Sequence, residues 1–156
     1  MRYVLIDRIV RLLPGRAATA IKNVSFSDDL VTRYSTGASA LPSSMLLEAM
    51  AQTAGVLAAA SVGWARQPVL AKVQPFTAYG VATPGDQIVI DASLEDQKDE
   101  GCRAEVRATI DGAPVADATI YLALIGADGM DTTSIARSTF AELFPGWIES
   151  ATEPVL

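Results

Sequence analysis

Ser44, Glu48 and Gln52 stand four residues apart in a run built mainly of Ala, Leu, Met and Val. At helical pitch this spacing lines up a hydroxyl, a carboxylate and a carboxamide on one face. A carboxylate in so apolar a helix is costly to bury unless it is paired or hydrogen-bonded. The stripe therefore fits either of two roles. It lines a polar pocket in which Glu48 acts on a substrate, or it forms a structural hydrogen-bond network at a subunit seam. Absences narrow the chemistry further. The 156 residues include no histidine and one cysteine, Cys102. A Ser/His/Asp triad, a histidine base, a histidine-bound metal and a CxxC metal site are excluded, as is an internal disulfide. With no imidazole to activate it, Cys102 is expected to be an inert thiol. No glycine-rich phosphate cradle stands out, so no resident cofactor is expected.

The stripe needs a helix, and the sequence supplies one over residues 45–62. Pro42-Ser43-Ser44 opens it, with a serine expected as N-cap. Gly63 follows as a residue able to adopt the left-handed cap. The helix is apolar nearly all round, which predicts cover on every side. Before it, residues 3–13 and 17–24 form a strand pair joined at Pro14-Gly15, suited to the centre of a type II turn. Residues 25–41 lack periodicity and are expected to be a loop that is either functional or poorly ordered. After the helix, strands are expected over 68–73, 87–92, 104–110 and 115–124. Pro84-Gly85-Asp86 and Asp111-Gly112 mark turns between them, the latter a hairpin dipeptide. One helix wrapped by an antiparallel meander is an α+β arrangement. Its open edges suit pairing of two copies. The domain is expected over 1–125. Over 126–156 a C-terminal extension follows, with a short helix near 131–144 docked on the domain or closing over a binding tunnel.

Charge separates partners. The chain carries a net −6 and is 50% apolar, with a mean hydropathy of +0.28, which is too greasy for a disordered segment. Residues 1–72 hold 8 basic and 4 acidic groups, whereas residues 73–156 hold 4 basic and 14 acidic groups. An acidic chain repels a phosphate backbone, so nucleic acid is not expected as a partner. The basic groups of the first half are either scattered solubilisers or a shared face that an acidic protein could approach. No membrane segment is expected. Asp7, Arg8 and Arg11 break the first apolar stretch, and Glu48, Gln52 and Thr53 interrupt the greasiest one. The expected compartment is the cytoplasm.

The run Leu46-Leu47-Glu48-Ala49-Met50-Ala51-Gln52-Thr53-Ala54-Gly55 resembles the central-helix motif L-x-E-A-M-A-Q-x-x-G of bacterial 3-hydroxyacyl-(acyl-carrier-protein) dehydratases. Val4-Leu5-Ile6-Asp7-Arg8-Ile9-Val10, Pro14-Gly15 and Ala20-Ile21-Lys22-Asn23-Val24-Ser25 are similar to that family's first hairpin. Thr83-Pro84-Gly85-Asp86-Gln87 looks like its V-P-G-D-Q turn. The resemblance spans about residues 3–125 and implies a hotdog fold, dimeric, with substrate tunnels at the interface. It also implies an acyl thioester of acyl carrier protein or coenzyme A as ligand. The working unit would be a homodimer or a heterodimer with a related hotdog subunit.

The departures from the family are chemical. Fourteen residues before its glutamate the family places the catalytic histidine of a His-Phe-Pro-Gly motif, where this chain has Tyr34-Ser35-Thr36-Gly37. Of that motif only Gly37 is kept. The family's Pro-Gly before the helix becomes Pro42-Ser43, and its basic cluster after the third strand becomes Thr77-Ala78-Tyr79-Gly80. Dehydration needs a base for the α-proton, and tyrosine, with an ordinary pKa of about 10, is a poor one at neutral pH. Tyr34 either donates a hydrogen bond to a thioester carbonyl or fills the space of the lost imidazole. Four readings follow. The chain is an acyl-thioester binder that is non-catalytic or works beside a histidine-bearing subunit; a thioesterase using Glu48; a dehydratase still active through Glu48 and Tyr34; or a structural subunit without ligand. Glu48 is the candidate catalytic residue, and Tyr34, Gly37, Ser44 and Gln52 are the candidate substrate contacts.

Overall fold

A computed structural model describes residues 4–28, 31–33 and 39–126. Strands β1 (Arg8–Leu13), β2 (Ala17–Asn23), β3 (Thr32–Arg33) and β4 (Ser39–Ala40) precede helix α1 (Ser43–Ser61). Strands β5 (Arg66–Ala78), β6 (Gln87–Lys98), β7 (Gly101–Ile110) and β8 (Ala113–Gly126) follow it. Six strands form one antiparallel sheet in the order β1-β2-β6-β7-β8-β5, and β3 and β4 pair separately. The α+β arrangement expected from the sequence, a sheet wrapped around one helix, is the one observed.

Period-two alternation sends Ile88, Ile90 and Ala92 of β6 and Ala104, Val106 and Ala108 of β7 into the core. Asp91, Glu105 and Arg107 point to the outer, solvated face. Ala49, Met50, Thr53, Ala54 and Leu57 of α1 meet the inner face and are completely buried. Alanines recur on both surfaces, at Ala20, Ala104, Ala108, Ala116 and Ala118 of the sheet and Ala49, Ala54 and Ala58 of the helix. Such small side chains let the helix approach the strands closely, so little is left uncovered between them.

Turn chemistry matches the sequence. Arg16 N donates to Leu13 O at 2.9 Å and Gly15 has φ +75°, as the third residue of a type II turn requires. Asp111 and Gly112 both have positive φ, 50° and 81°, the pattern of a type I′ hairpin. At the end of α1, Gly63 has φ +62°, Trp64 N donates to Ala59 O and Gly63 N donates to Ala60 O. That pair of bonds is a Schellman cap.

Several expectations need correction. No serine caps the helix: Pro42 is the N-cap, without a side-chain bond, and Ser43 and Ser44 lie in the first turn. Strand β1 begins at Arg8, five residues later than the 3–13 expectation. The third long strand runs for 13 residues rather than six, because pairing with the 14-residue β8 carries β5 past Pro68 and Pro75. Proline is tolerated there because β5 is an edge strand, with one side free of ladder partners. Strands β6 and β7 likewise extend to Lys98 and from Gly101, beyond the expected 87–92 and 104–110, which leaves Asp99 and Glu100 as the turn between them. The expected helix at 131–144 lies outside the described residues.

Candidate functional site

Helix α1 does place Ser44, Glu48 and Gln52 on one face. Gln52 Nε2 donates to Glu48 Oε1 at 3.0 Å, and Gln52 Oε1 accepts from the backbone N–H of Leu5 at 2.9 Å. The carboxamide thus ties the carboxylate to the segment entering β1. Within one chain, however, the carboxylate is not deep in an apolar surrounding. Glu48 and Ser44 are exposed, Gln52 is half-buried, and Met45, Leu47 and Val56 beside them are only partly covered. The reason is geometric. One sheet can wrap only part of a helix, and the covered part here is the Met50–Leu57 side. Tyr34 and Gly37, the other candidate contacts, lie outside the described residues.

Two depressions of about 590 and 610 Å³ are lined by residues of the outer sheet face, and Glu48 lines neither. The first contains Arg11, Thr19, Asp91, Glu105, Arg107 and Asp117. There Arg107 Nε donates to Asp117 Oδ1 at 2.7 Å, and Tyr79 Oη donates to Asp117 Oδ2 at 3.2 Å. The arginine bond first, with the tyrosine adding to it, holds the Asp117 carboxyl below its ordinary range. Cross-strand pairs of this kind are usual on a solvated antiparallel face. Cys102 is buried, and desolvation raises its pKa, which opposes thiolate formation.

Most of the family-like motifs outside the helix meet in a polar knot at one end of the sheet. Asp7 Oδ2 accepts from the backbone N and Nδ2 of Asn23, and Asn23 Oδ1 accepts from Gln87 Nε2. Val24 N donates to Asp86 O, Gly85 N donates to Val24 O, and Asp86 Oδ2 accepts from the N and Oγ1 of Thr83. Gly85, at φ +105°, occupies a backbone conformation that a side chain would strain. Beside this knot Lys22 is 6% exposed, and its ammonium reaches Asp28 Oδ2 at 2.9 Å and Asn23 O at 2.7 Å. Sequence reasoning missed this buried ion pair. Its signal was parity, since Lys22 shares the inward register of Ala18 and Ala20 on β2 and of Val24 just after it.

Residues 1–119 match the family model of the FabA-like domain. The chain belongs to the FabA-like family. Among curated proteins, the FabA-like chain is 32% identical over 132 residues to the 3-hydroxyacyl-(acyl-carrier-protein) dehydratase FabZ of Klebsiella pneumoniae, covering 78% of this chain and 82% of that one. Among solved structures it resembles smu.793 of Streptococcus mutans bound to acetyl CoA, with a TM-score of 0.67 at 16% identity, over 81% of this chain and 94% of that one. A hypothetical thioesterase of Streptococcus pneumoniae with coenzyme A gives 0.62 at 18% identity, over 76% and 85%. At such identities the structural likeness speaks for the fold, and the FabA-like chain has the hotdog architecture that its motifs implied. Among the described residues, no helix is long and apolar enough to cross a membrane.

Proposed function

We propose that this chain binds acyl thioesters, carried by acyl carrier protein or coenzyme A, as a non-catalytic or partner-dependent dehydratase subunit of fatty-acid or polyketide-like synthesis in the cytoplasm. One observation carries the reading: the Glu48–Gln52 pair is preserved and presented on an uncovered helix face, in a sequence with no histidine. Water leaves a 3-hydroxyacyl thioester only after the α-proton goes to a base and the β-hydroxyl receives a proton. Glu48 can serve one of these transfers, and an imidazole from a related subunit would serve the other. A positioned acid or base contributes about 10²–10⁴ in rate, so its loss leaves little turnover.

An interface also suits the geometry. Strand β5 is an open edge of 13 residues on which Val69 and Leu70 are 41% and 45% exposed. Such an edge is a template for pairing with a second subunit, either a copy of this chain or a histidine-bearing relative.

The test is turnover of a 3-hydroxyacyl thioester by the chain alone and mixed with a histidine-bearing homologue. The expected result is binding without appreciable dehydration alone, and activity in the mixture that falls with Glu48→Gln. Dehydration by the purified chain at ordinary enzyme rates would end the proposal. The exposed carboxylate also supports a second reading, thioester hydrolysis with Glu48 activating water or attacking the carbonyl. Cleavage that survives Glu48→Gln would remove it.

A further inference from the structure

Most cationic side chains among the described residues are engaged. Lys22 is buried against Asp28, Arg107 holds Asp117, Lys98 lies 3.8 Å from Asp96, and Lys72 sits 5.7 Å from the centre of the Tyr121 ring. Arg66 donates to the carbonyl of Asp99, and Arg103 is half-buried. The exposed cations without a hydrogen bond, ion pair or ring contact, among the described residues, are Arg8, Arg11 and Arg16. All three belong to the β1–β2 hairpin.

The hairpin is unusual for this chain in a second respect. Residues 8–23 contain no Asp or Glu, although the chain as a whole carries a net −6. The neighbouring carboxylates are already engaged: Asp7 accepts from Asn23, Asp91 accepts from Thr19, the cross-strand partner of Arg11, and Glu105 and Asp117, which line the same depression as Arg11, accept from Thr119 and Arg107. Strand β1 is also the outermost strand of its sheet, so its side away from β2 has no ladder partner within the sheet. From Arg8 to Leu13 the strand covers about 17 Å at the usual rise, and the turn then brings Arg16 beside Leu13.

Its placement connects it to the candidate site. Leu5 N donates to Gln52 Oε1 at 2.9 Å, and Gly15 N donates to Ser61 Oγ at 2.7 Å. The segment from Leu5 to Gly15 therefore runs along α1 from Gln52 to Ser61, with Leu5, three residues before Arg8, held by the Gln52 of the Glu48–Gln52 pair.

We infer that the β1–β2 hairpin is the docking edge for an acidic protein, the carrier that presents the acyl thioester to the Glu48 face. The identity of that partner rests on the proposed function, whereas the edge itself rests on the three arginines. The net charge of this chain repels an acidic body at long range. Attraction confined to one edge would therefore orient the partner as well as hold it.

The experiment compares binding of a holo acyl carrier protein and of a free acyl-pantetheine to the full chain at low and physiological salt. The triple variant Arg8→Ala, Arg11→Ala, Arg16→Ala is expected to weaken carrier binding at least about tenfold and flatten its salt dependence, with acyl-pantetheine binding unchanged. Because these side chains are exposed and unpaired, folding should be untouched, and circular dichroism checks this. Reversal of the same three residues to Glu should abolish carrier binding. Carrier binding equal in wild type and both variants overturns the inference, as does arginine-dependent binding to phosphatidylglycerol vesicles without carrier binding. Arginine-dependent carrier binding without any acyl-pantetheine binding would leave the docking edge standing and sink the proposed function.

Discussion

The polar knot at the end of β2 and the polar face of α1 carry different motifs of one family and differ in what holds them. In the knot, Asp7, Asn23, Asp86 and Gln87 are held by one another or by backbone, and Lys22 is buried on Asp28. On the helix face, Glu48 is exposed and held by Gln52 from its own helix. A closed network supports a fold, whereas an open carboxylate on a rigid helix is available to something outside the chain. Motif residues of one family therefore divide into those that fix the backbone and those that wait for a ligand or subunit.

Substitutions on the two sides should separate stability from function. The largest expected loss of stability comes from Asp28→Ala, which leaves the Lys22 ammonium buried with only a carbonyl partner. Removing one member of a buried pair costs about 3–5 kcal/mol, readable as a lower urea midpoint. Glu48→Gln should leave that midpoint within about 0.5 kcal/mol, as usual for an exposed site. The same change should lower activity in the mixture with a histidine-bearing subunit by about a hundredfold. Equal effects of the two variants on stability would erase the contrast. Gln52→Leu stands between them, since it removes a donor from Glu48 and the acceptor of Leu5 N. A cost of about 1 kcal/mol in chemical denaturation is expected.

The smallest expected effect lies on the outer sheet face. The Asp117 carboxyl is held below its ordinary range by Arg107 and Tyr79, so the unfolded chain binds the proton more readily than the folded one. The pair's contribution is present above the unfolded-state pKa and is lost as pH falls through the folded-state value. Asp117→Asn should flatten the acid limb of a stability–pH profile slightly and leave neutral stability little changed, since the pair is solvent-exposed. An unaltered acid limb would show the pair to be inert.

Much of the scaffold was legible in the residues. Pro14-Gly15 and Asp111-Gly112 announce turns because glycine tolerates positive φ and the strand twist selects the turn type. The alternation in β6 announces its buried face. The candidate site was legible only along one helix, where Glu48 and Gln52 are a turn apart. The link from Gln52 to Leu5 spans 47 positions and leaves no local trace. Lys22 was equally hidden, because a lysine on a strand is ordinarily exposed and only the parity of β2, together with an acid six residues on, reverses that.

Composition and short-range spacing by themselves determined that this protein has no imidazole chemistry, that one helix carries Glu48 and Gln52 in line, and that the segments around it alternate as antiparallel strands. Those properties depend on residue identity and on periods of two and 3.6, which no distant contact can alter. Only the tertiary structure decided that Glu48 faces outward, that Lys22 is buried and that β5 extends along β8. Each of these depends on which non-local surface covers a residue, and one sheet of six strands covers only part of its helix.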